Sequence, residues 1–207
     1  MLTKADSHNY NLNTPGGQLM IRIATEADVP AILSIYAPYI LDTTITFEYD
    51  VPSEEEFLQR FRTITRQYPW LVWEEDGEIL GYAHGSAPFE RAAFRWSCEA
   101  SVYLRPDAQG RGIGKQLYTA LERLLALQGH RLCYAIITSD NASSLAFHKK
   151  LGYTVTAELP GCGFKFGQWL GVTWVEKTIG FVQFPRDFPV EWHTLRQDEQ
   201  KIRNILR

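Results

Sequence analysis

The 207-residue sequence is poor in sulfur, with three cysteines and two methionines, and its Cys98, Cys133 and Cys162 are odd in number and widely spaced. No Cys-x-x-Cys pair or neighbouring histidine cluster accompanies them, so neither a zinc site nor a disulfide framework is expected. No run approaches the roughly 18 consecutive apolar residues of a membrane-spanning helix. Charge of one sign is also missing: 21 basic against 24 acidic residues leave a net charge of -3, which gives no general attraction to nucleic acid. The first 19 residues are polar and asparagine-rich, without the basic and apolar succession of a secretory signal. These absences point to a cytoplasmic protein without metal, nucleic acid or membrane partner, in which any anion binding is local.

What is present is an ordinary globular composition, 45% hydrophobic and 22% charged, in a chain long enough for one well-buried core. Met20-Ile21-Arg22-Ile23 reads as the start of the fold. The expected division is residues 1–19 as a disordered extension, 20–180 as the domain, and 181–207 as a partly helical tail. Thr25 to Asp28 offers a hydroxyl cap to a helix reaching about Ile40, and Ser53-Glu54-Glu55-Glu56 is a capping box for a second. Trp70–Glu74 and Glu78–Gly85 are strands joined by Asp76-Gly77, a hairpin signal. A strand from about Arg95 to Leu104, a helix from Gly112 to about Leu127, a continuous apolar strand Leu132–Ile137 and a helix capped by Asn141 follow. Two last strands, Thr154–Glu158 and Val172–Lys177, are separated by a glycine- and aromatic-rich excursion. The order is β-α-α-β-β-β-α-β-α-β-β.

The richest segment is Arg105-Pro-Asp-Ala-Gln-Gly-Arg-Gly-Ile-Gly-Lys115. Strand, glycine-rich loop and helix start make a phosphate cradle, because glycines admit positive φ and the first helical N–H groups face the anion. Two nucleotide motifs fail here. Gly114-Lys115 is followed by Gln116, with no hydroxyl for magnesium, and Gly110, Gly112 and Gly114 are spaced Gly-x-Gly-x-Gly, not Gly-x-Gly-x-x-Gly. On this segment alone a plain tight turn before a surface helix stays open.

Gln109-Gly110-Arg111-Gly112-Ile113-Gly114 resembles the acyl-CoA loop of the GCN5-related N-acetyltransferases, and Asn141-Ala-Ser-Ser144-Leu-Ala-Phe147-His148-Lys-Lys-Leu-Gly152-Tyr153 resembles a later helix of that superfamily. Arg22 to Asp28, Thr46-Phe47-Glu48, Tyr68-Pro-Trp-Leu71, Glu99-Ala-Ser-Val-Tyr103 and Gly163 to Trp169 narrow the likeness to the phosphinothricin acetyltransferase subfamily, over about residues 20 to 180. The resemblance implies an α+β fold of three layers, with a mixed, mostly antiparallel and splayed sheet. It also implies acetyl transfer from acetyl-CoA, as co-substrate, to the α-amino group of a small amino acid or analogue by a homodimer. Two other functions stay open: a protein or peptide N-acetyltransferase of the same fold, and a non-catalytic acyl-CoA sensor.

Acetylation of an ammonium group at pH 7 needs a base, and Glu99 matches the family's catalytic glutamate. On spacing alone a solvated strand glutamate is the plainer reading. Strand alternation places Arg95, Ser97 and Glu99 on one face, which offers Arg95 to a substrate carboxylate, with a surface ion pair as the alternative. By resemblance, the backbone of Val102, Tyr103 and Leu104 takes the pantetheine arm, Gln109 to Gly114 hold the pyrophosphate, and Arg111 adds charge. Lys115 is either part of this cradle or solvated. Asn141 reads as a helix cap, and the resemblance also implies that it lies with Ser144 near the pantetheine. His148 stands where most of the superfamily has a tyrosine that protonates the departing thiolate, and an exposed helical histidine or protonation by water are the alternatives. Phe47, Glu48 and Phe164 are the candidate walls of the acceptor pocket, with plain core or dimer interface as the other reading.

Overall fold

The computed structural model describes residues 20–181 and 187–206. Its elements in chain order are β1 (Ile21–Ile23), α1 (Val29–Asp42), α2 (Glu54–Gln67), β2 (Trp70–Glu75), β3 (Glu78–Ser86), β4 (Ser97–Leu104), α3 (Ile113–Gln128), β5 (Leu132–Thr138), α4 (Ala142–Lys150), β6 (Thr154–Lys165) and β7 (Gln168–Thr178). Two short helices close the chain, α5 (Trp192–Leu195) and α6 (Glu199–Leu206). The expected order of elements is the observed one. No helix among the described residues is long and apolar enough to cross a membrane.

One seven-stranded sheet runs β1-β2-β3-β4-β5-β7-β6. Every pairing is antiparallel except β4 with β5, the single parallel contact. The β2 to β5 part of the sheet packs helices on both faces. Trp70, Val72 and Tyr82 pack with Ile32, Ile35, Phe57 and Phe61 of α1 and α2, while Leu71, Cys98, Ala100 and Cys133 pack with Leu117, Leu121 and Leu124 of α3. Each of these fully buried leucines contributes about 1.5–3 kcal/mol by leaving water, which pins α3 to the sheet.

Local signals act where the sequence places them. The Ser53 hydroxyl accepts from the Glu56 N–H at 3.3 Å while the Glu56 carboxylate accepts from the Ser53 N–H at 2.8 Å. Asp76 and Gly77 both take positive φ, 52° and 81°, as a two-residue hairpin turn requires.

Three expectations are corrected. First, β6 and β7 are much longer than Thr154–Glu158 and Val172–Lys177, and the supposed excursion between them is the far part of one hairpin turning at Phe166-Gly167, with φ of 50° and 76°. Gly163 there serves close approach: a Cβ on it would lie 2.2 Å from the Phe47 ring. Second, β4 begins at Ser97, because Ala92–Phe94 form a 3-10 turn that Arg95 closes. Third, the tail packs onto the core through α5 and α6. Trp192 is 0% exposed, and Ile202 and Leu206 join the cluster over α3. The expected extension 1–19 lies outside the described residues.

Candidate active site

The parallel pair β4–β5 is short. Ser97, Cys98 and Glu99 pair with Leu132, Cys133 and Tyr134, and there the pairing stops. Beyond it β4 follows β3 as far as Leu104, whereas β5 follows β7 through Ala135–Thr138. The sheet therefore opens into a V with Glu99 and Tyr134 at the apex. The β4 arm leaves backbone groups from Ala100 to Leu104 without a strand partner on this side, the kind of edge that binds an extended chain. Two side chains reach it: Tyr118 Oη donates to the Ala100 carbonyl at 3.2 Å and Tyr39 Oη to the Leu104 carbonyl at 2.5 Å.

The glycine loop lies beyond the open end of the β4 arm. Gly110 and Gly112 have φ of 73° and 81°, and nothing stands within 4 Å of where their Cβ atoms would be. Backbone conformation, with open space above it, is what requires glycine at both. Gly112 is the N-cap of the 16-residue α3, whose free N–H groups and dipole face the same space. Gly114 serves packing instead, because its missing side chain admits Leu104 and Phe147, 3.4 and 3.8 Å from its Cβ position. Ile113 anchors the loop in the core with 1% exposure, and Gln109 Nε2 reaches Tyr39 Oη at 3.4 Å. Arg111 is turned to Glu75, with 2.6 Å between the charged groups. Lys115 lies on the outer side of α3, where with Gln116, Thr119 and Arg123 it lines a groove of about 420 Å³ beside Met20 and α6.

Glu99 is half-buried, and no hydrogen bond or ion pair to its carboxyl occurs among the described residues. Burial without a partner pushes its pKa up to about 7. On the same face of β4 stand Ser101 and Tyr103. The Tyr103 ring meets Tyr36 and Tyr39 edge-on at 4.9 and 5.1 Å and stacks on Tyr82 at 5.4 Å. His84, opposite Ser101, stacks on Trp70 at 4.3 Å, and burial lowers its pKa to about 4, so it is neutral at pH 7. Tyr36 Oη donates to Glu48 at 3.0 Å, and Arg60 holds the same carboxylate through both oxygens at 2.7 and 3.2 Å. Glu99 thus lies at one end of an aromatic-walled face and the Glu48–Arg60 pair at the other.

Of the sequence-predicted residues, Glu99, Val102, Tyr103, Leu104 and the Gln109–Gly112 loop line the V and its mouth, Glu48 reaches the face beyond Tyr103 through Tyr36, and Phe47 lies against Gly163. Asn141 accepts from the Ser144 N–H at 3.0 Å, which fixes the start of α4. Phe164 keeps a half-exposed ring 5.2 Å from Trp169, and its carbonyl accepts from the Tyr49 hydroxyl. Arg95 is not brought in: it precedes the strand, and its guanidinium lies over the Phe188 ring at 4.9 Å. His148 is not an exposed helical side chain. It is 4% exposed, with Nδ1 2.8 Å from the Ser144 carbonyl and Nε2 3.0 Å from Tyr118 Oη. Sequence reading missed Tyr36, Tyr39, Arg60, His84, Tyr118 and Lys165. Tyr36 does carry a signal, since it follows Ile32 at helical spacing on the buried side of α1.

An acetyltransferase (GNAT) domain model matches residues 21–174. The chain belongs to the GNAT acetyltransferase family. It is 40% identical over 166 residues to the L-methionine sulfoximine/L-methionine sulfone acetyltransferase of Pseudomonas aeruginosa, covering 77% of this chain and 94% of that one. It is 34% identical over 161 residues to the phosphinothricin N-acetyltransferase of Alcaligenes faecalis, with 77% and 82% covered. The crystal structure of a GNAT superfamily phosphinothricin acetyltransferase from Sinorhizobium meliloti in complex with acetyl-CoA superposes with a TM-score of 0.76 at 36% identity, over 83% of this chain and 92% of that one. In this GNAT chain, α5 and α6 lie beyond the span that the family model matches.

Proposed function

We propose that the protein transfers acetyl from acetyl-CoA to the α-amino group of a small amino acid or analogue of the phosphinothricin, methionine sulfone or methionine sulfoximine type. The carrying observation is Glu99: a carboxyl without a partner among the described residues, with a pKa of about 7, at the apex where the sheet splits. Its placement and basicity suit removal of a proton from an ammonium group at neutral pH. The names of the relatives support the acceptor class.

The V fits the donor: a free backbone edge for an amide-bearing arm, then an unobstructed positive-φ loop ahead of a helix dipole. Bound there, acetyl-CoA supplies an activated thioester. Val102 to Leu104 bind its arm, and a backbone N–H of this stretch polarises the acyl carbonyl. Glu99 takes one proton from the acceptor's ammonium, the freed nitrogen lone pair forms the new C–N bond by direct attack in a ternary complex as the C–S bond breaks, and the nitrogen's second surplus proton passes to water to leave a neutral amide. The thiolate leaves to be protonated by water, because the Nδ1 proton of His148 is committed to the Ser144 carbonyl. Tyr36, Tyr103, Phe47 and Glu48 border the acceptor.

The proposal includes a homodimer in the cytoplasm. Val155, Phe166 and Trp169, 58%, 56% and 72% exposed on β6, its turn and β7, offer an apolar surface to a second copy, which sedimentation analysis would detect. The function itself is tested by thiol release from acetyl-CoA against phosphinothricin, methionine sulfone, methionine sulfoximine, free amino acids and short peptides. Turnover with the amino acids or analogues is expected. Turnover confined to peptides, or acetyl-CoA binding without thiol release, overturns the reading.

A further inference from the structure

Lys165, the last residue of β6, is 2% exposed, and no carboxylate among the described residues lies within ion-pair distance of it. Its ammonium instead donates to three carbonyls: Ile40 at 2.7 Å, Thr43 at 2.9 Å and Thr46 at 2.7 Å. An ammonium has three protons to give, so its hydrogen-bonding capacity is filled. The receiving groups explain why a cation stands there. α1 ends at Asp42 without a left-handed cap residue, since Thr43 is extended at φ -136°. The Ile40 carbonyl is one of the orphans of the last turn, and a cation there also faces the negative end of the helix dipole. The Thr43 hydroxyl caps the Tyr39 carbonyl locally at 2.6 Å, and Lys165, from 119 to 125 residues away, takes the Ile40, Thr43 and Thr46 carbonyls.

The segment held in this way runs directly into Thr46-Phe47-Glu48. Thr46 Oγ1 lies 2.8 Å from Tyr36 Oη, and Glu48 engages Tyr36 and Arg60. Two neighbours of Lys165 grip the same loop. Gly163 leaves room for the Phe47 ring, and the Phe164 carbonyl accepts from Tyr49. The end of the β6–β7 hairpin therefore touches the loop at three consecutive residues, 163, 164 and 165. That loop carries the groups packed against Tyr36, which in turn packs on Tyr103, on the face of β4 that bears Glu99.

We propose that Lys165 is a positioning residue for the amine acceptor: its ammonium ties residues 43–48 to the β6–β7 hairpin and so sets Phe47 and Glu48 against the face that carries Glu99, with no part in holding the donor. This rests on the acetyl-transfer reading of the site. Burial lowers the lysine's pKa, with the carboxylate of Glu48 opposing, which fits a cation held by carbonyl dipoles.

The test uses two variants of the full chain. Lys165→Met keeps the length and removes the charge. Gly163→Ala leaves the ammonium in place and displaces Phe47, whose ring would lie 2.2 Å from the new carbon. In both, the acceptor KM should rise about tenfold or more, since small misplacements at a reacting centre carry large costs. The acetyl-CoA Kd, measured by calorimetry, should stay within about twofold. Equal weakening of donor and acceptor binding, or an unchanged acceptor KM, overturns the positioning role. Absence of thiol release by the unaltered protein overturns the acetyl-transfer reading instead. Hydrogen exchange then still judges the clamp: Lys165→Met should lose protection at residues 43–48 and keep it in α3 and β4, and an unchanged loop would end the proposal.

Discussion

His148 and Tyr118 share a hydrogen bond of 3.0 Å inside the contact between α4 and α3, where the Tyr118 ring also meets Phe147 and Tyr153 edge-on. The Ser144 carbonyl, 2.8 Å from Nδ1, can only accept, so Nδ1 carries the proton and Nε2 accepts from the Tyr118 hydroxyl, whose single proton is shared with the Ala100 carbonyl 3.2 Å away. Burial lowers the imidazole pKa and keeps it neutral at pH 7. His148 therefore braces the two helices that flank the V. His148→Leu should lower stability by about 1–3 kcal/mol in urea titration, the cost of buried groups left without partners. It should reduce kcat by less than the roughly 10²-fold expected on losing a general acid. A larger fall in kcat, with acetyl-CoA binding intact, would return the histidine to the chemistry.

The loop glycines give a sharper contrast. Gly112 has φ of 81° and open space around its Cβ position, so Gly112→Ala meets no clash but must hold a left-handed conformation. The expected cost is about 1–2 kcal/mol of stability, with the fold retained. Gly112→Glu places a carboxylate in the anion cradle and should abolish acetyl-CoA binding in calorimetry, while leaving the circular dichroism spectrum native. Tight binding by the glutamate variant would remove the loop from the donor site.

The difference between legible and hidden features follows how far each physical cause reaches along the chain. The Ser53 box, the Asp76-Gly77 turn, the Asn141 cap and the Gly110-Arg111-Gly112 loop are decided within a few residues, and each stands where the sequence predicts. The parallel β4–β5 pair and its splay enter as an implication of family resemblance, since nothing in Cys98-Glu99-Ala100 alone says where pairing stops. Gly163 reads as a loop residue until Phe47, 116 positions earlier, explains it. Lys165 looks like a surface lysine because its three acceptors lie in another segment. Arg95 is misplaced by extending strand alternation across a 3-10 turn, and Trp192 because Phe184-Pro185 and Phe188-Pro189 break the periodic pattern just before it.

The C-terminal segment makes its own prediction. Trp192 is fully buried, with its indole N–H unpaired among the described groups, and Gln128 ties the segment down by donating to Val190 and Gln67 carbonyls at 2.7 and 2.8 Å. Trp192→Ala should cost about 3–5 kcal/mol, as removal of a large buried aromatic does. Trp192→Phe should cost clearly less, because it keeps most of the packing and deletes the orphaned donor. Comparable losses in the two variants would mean that the indole N–H has a partner in solution.

Glu99 couples activity to stability with opposite signs. A glutamate in an unfolded chain titrates at about 4.3, whereas Glu99 in the fold titrates at about 7. Between those values the native protein keeps a proton that the unfolded chain has lost, so stability falls as pH rises through this window, and the cost is complete above it. Glu99→Gln has no such titration. Its stability relative to the unaltered protein should rise between about pH 4.5 and 7 and level off above, in thermal or urea unfolding followed across pH. Catalysis should move the other way. For the unaltered protein, kcat/KM should climb through about pH 7 as Glu99 ionises. A second limb, from the acceptor's own ammonium, should appear higher. The variant should lose the first limb alone and fall by roughly 10² or more at neutral pH. A first limb that survives in Glu99→Gln would assign the base elsewhere, and a stability difference independent of pH would show that the carboxyl is not held neutral by burial.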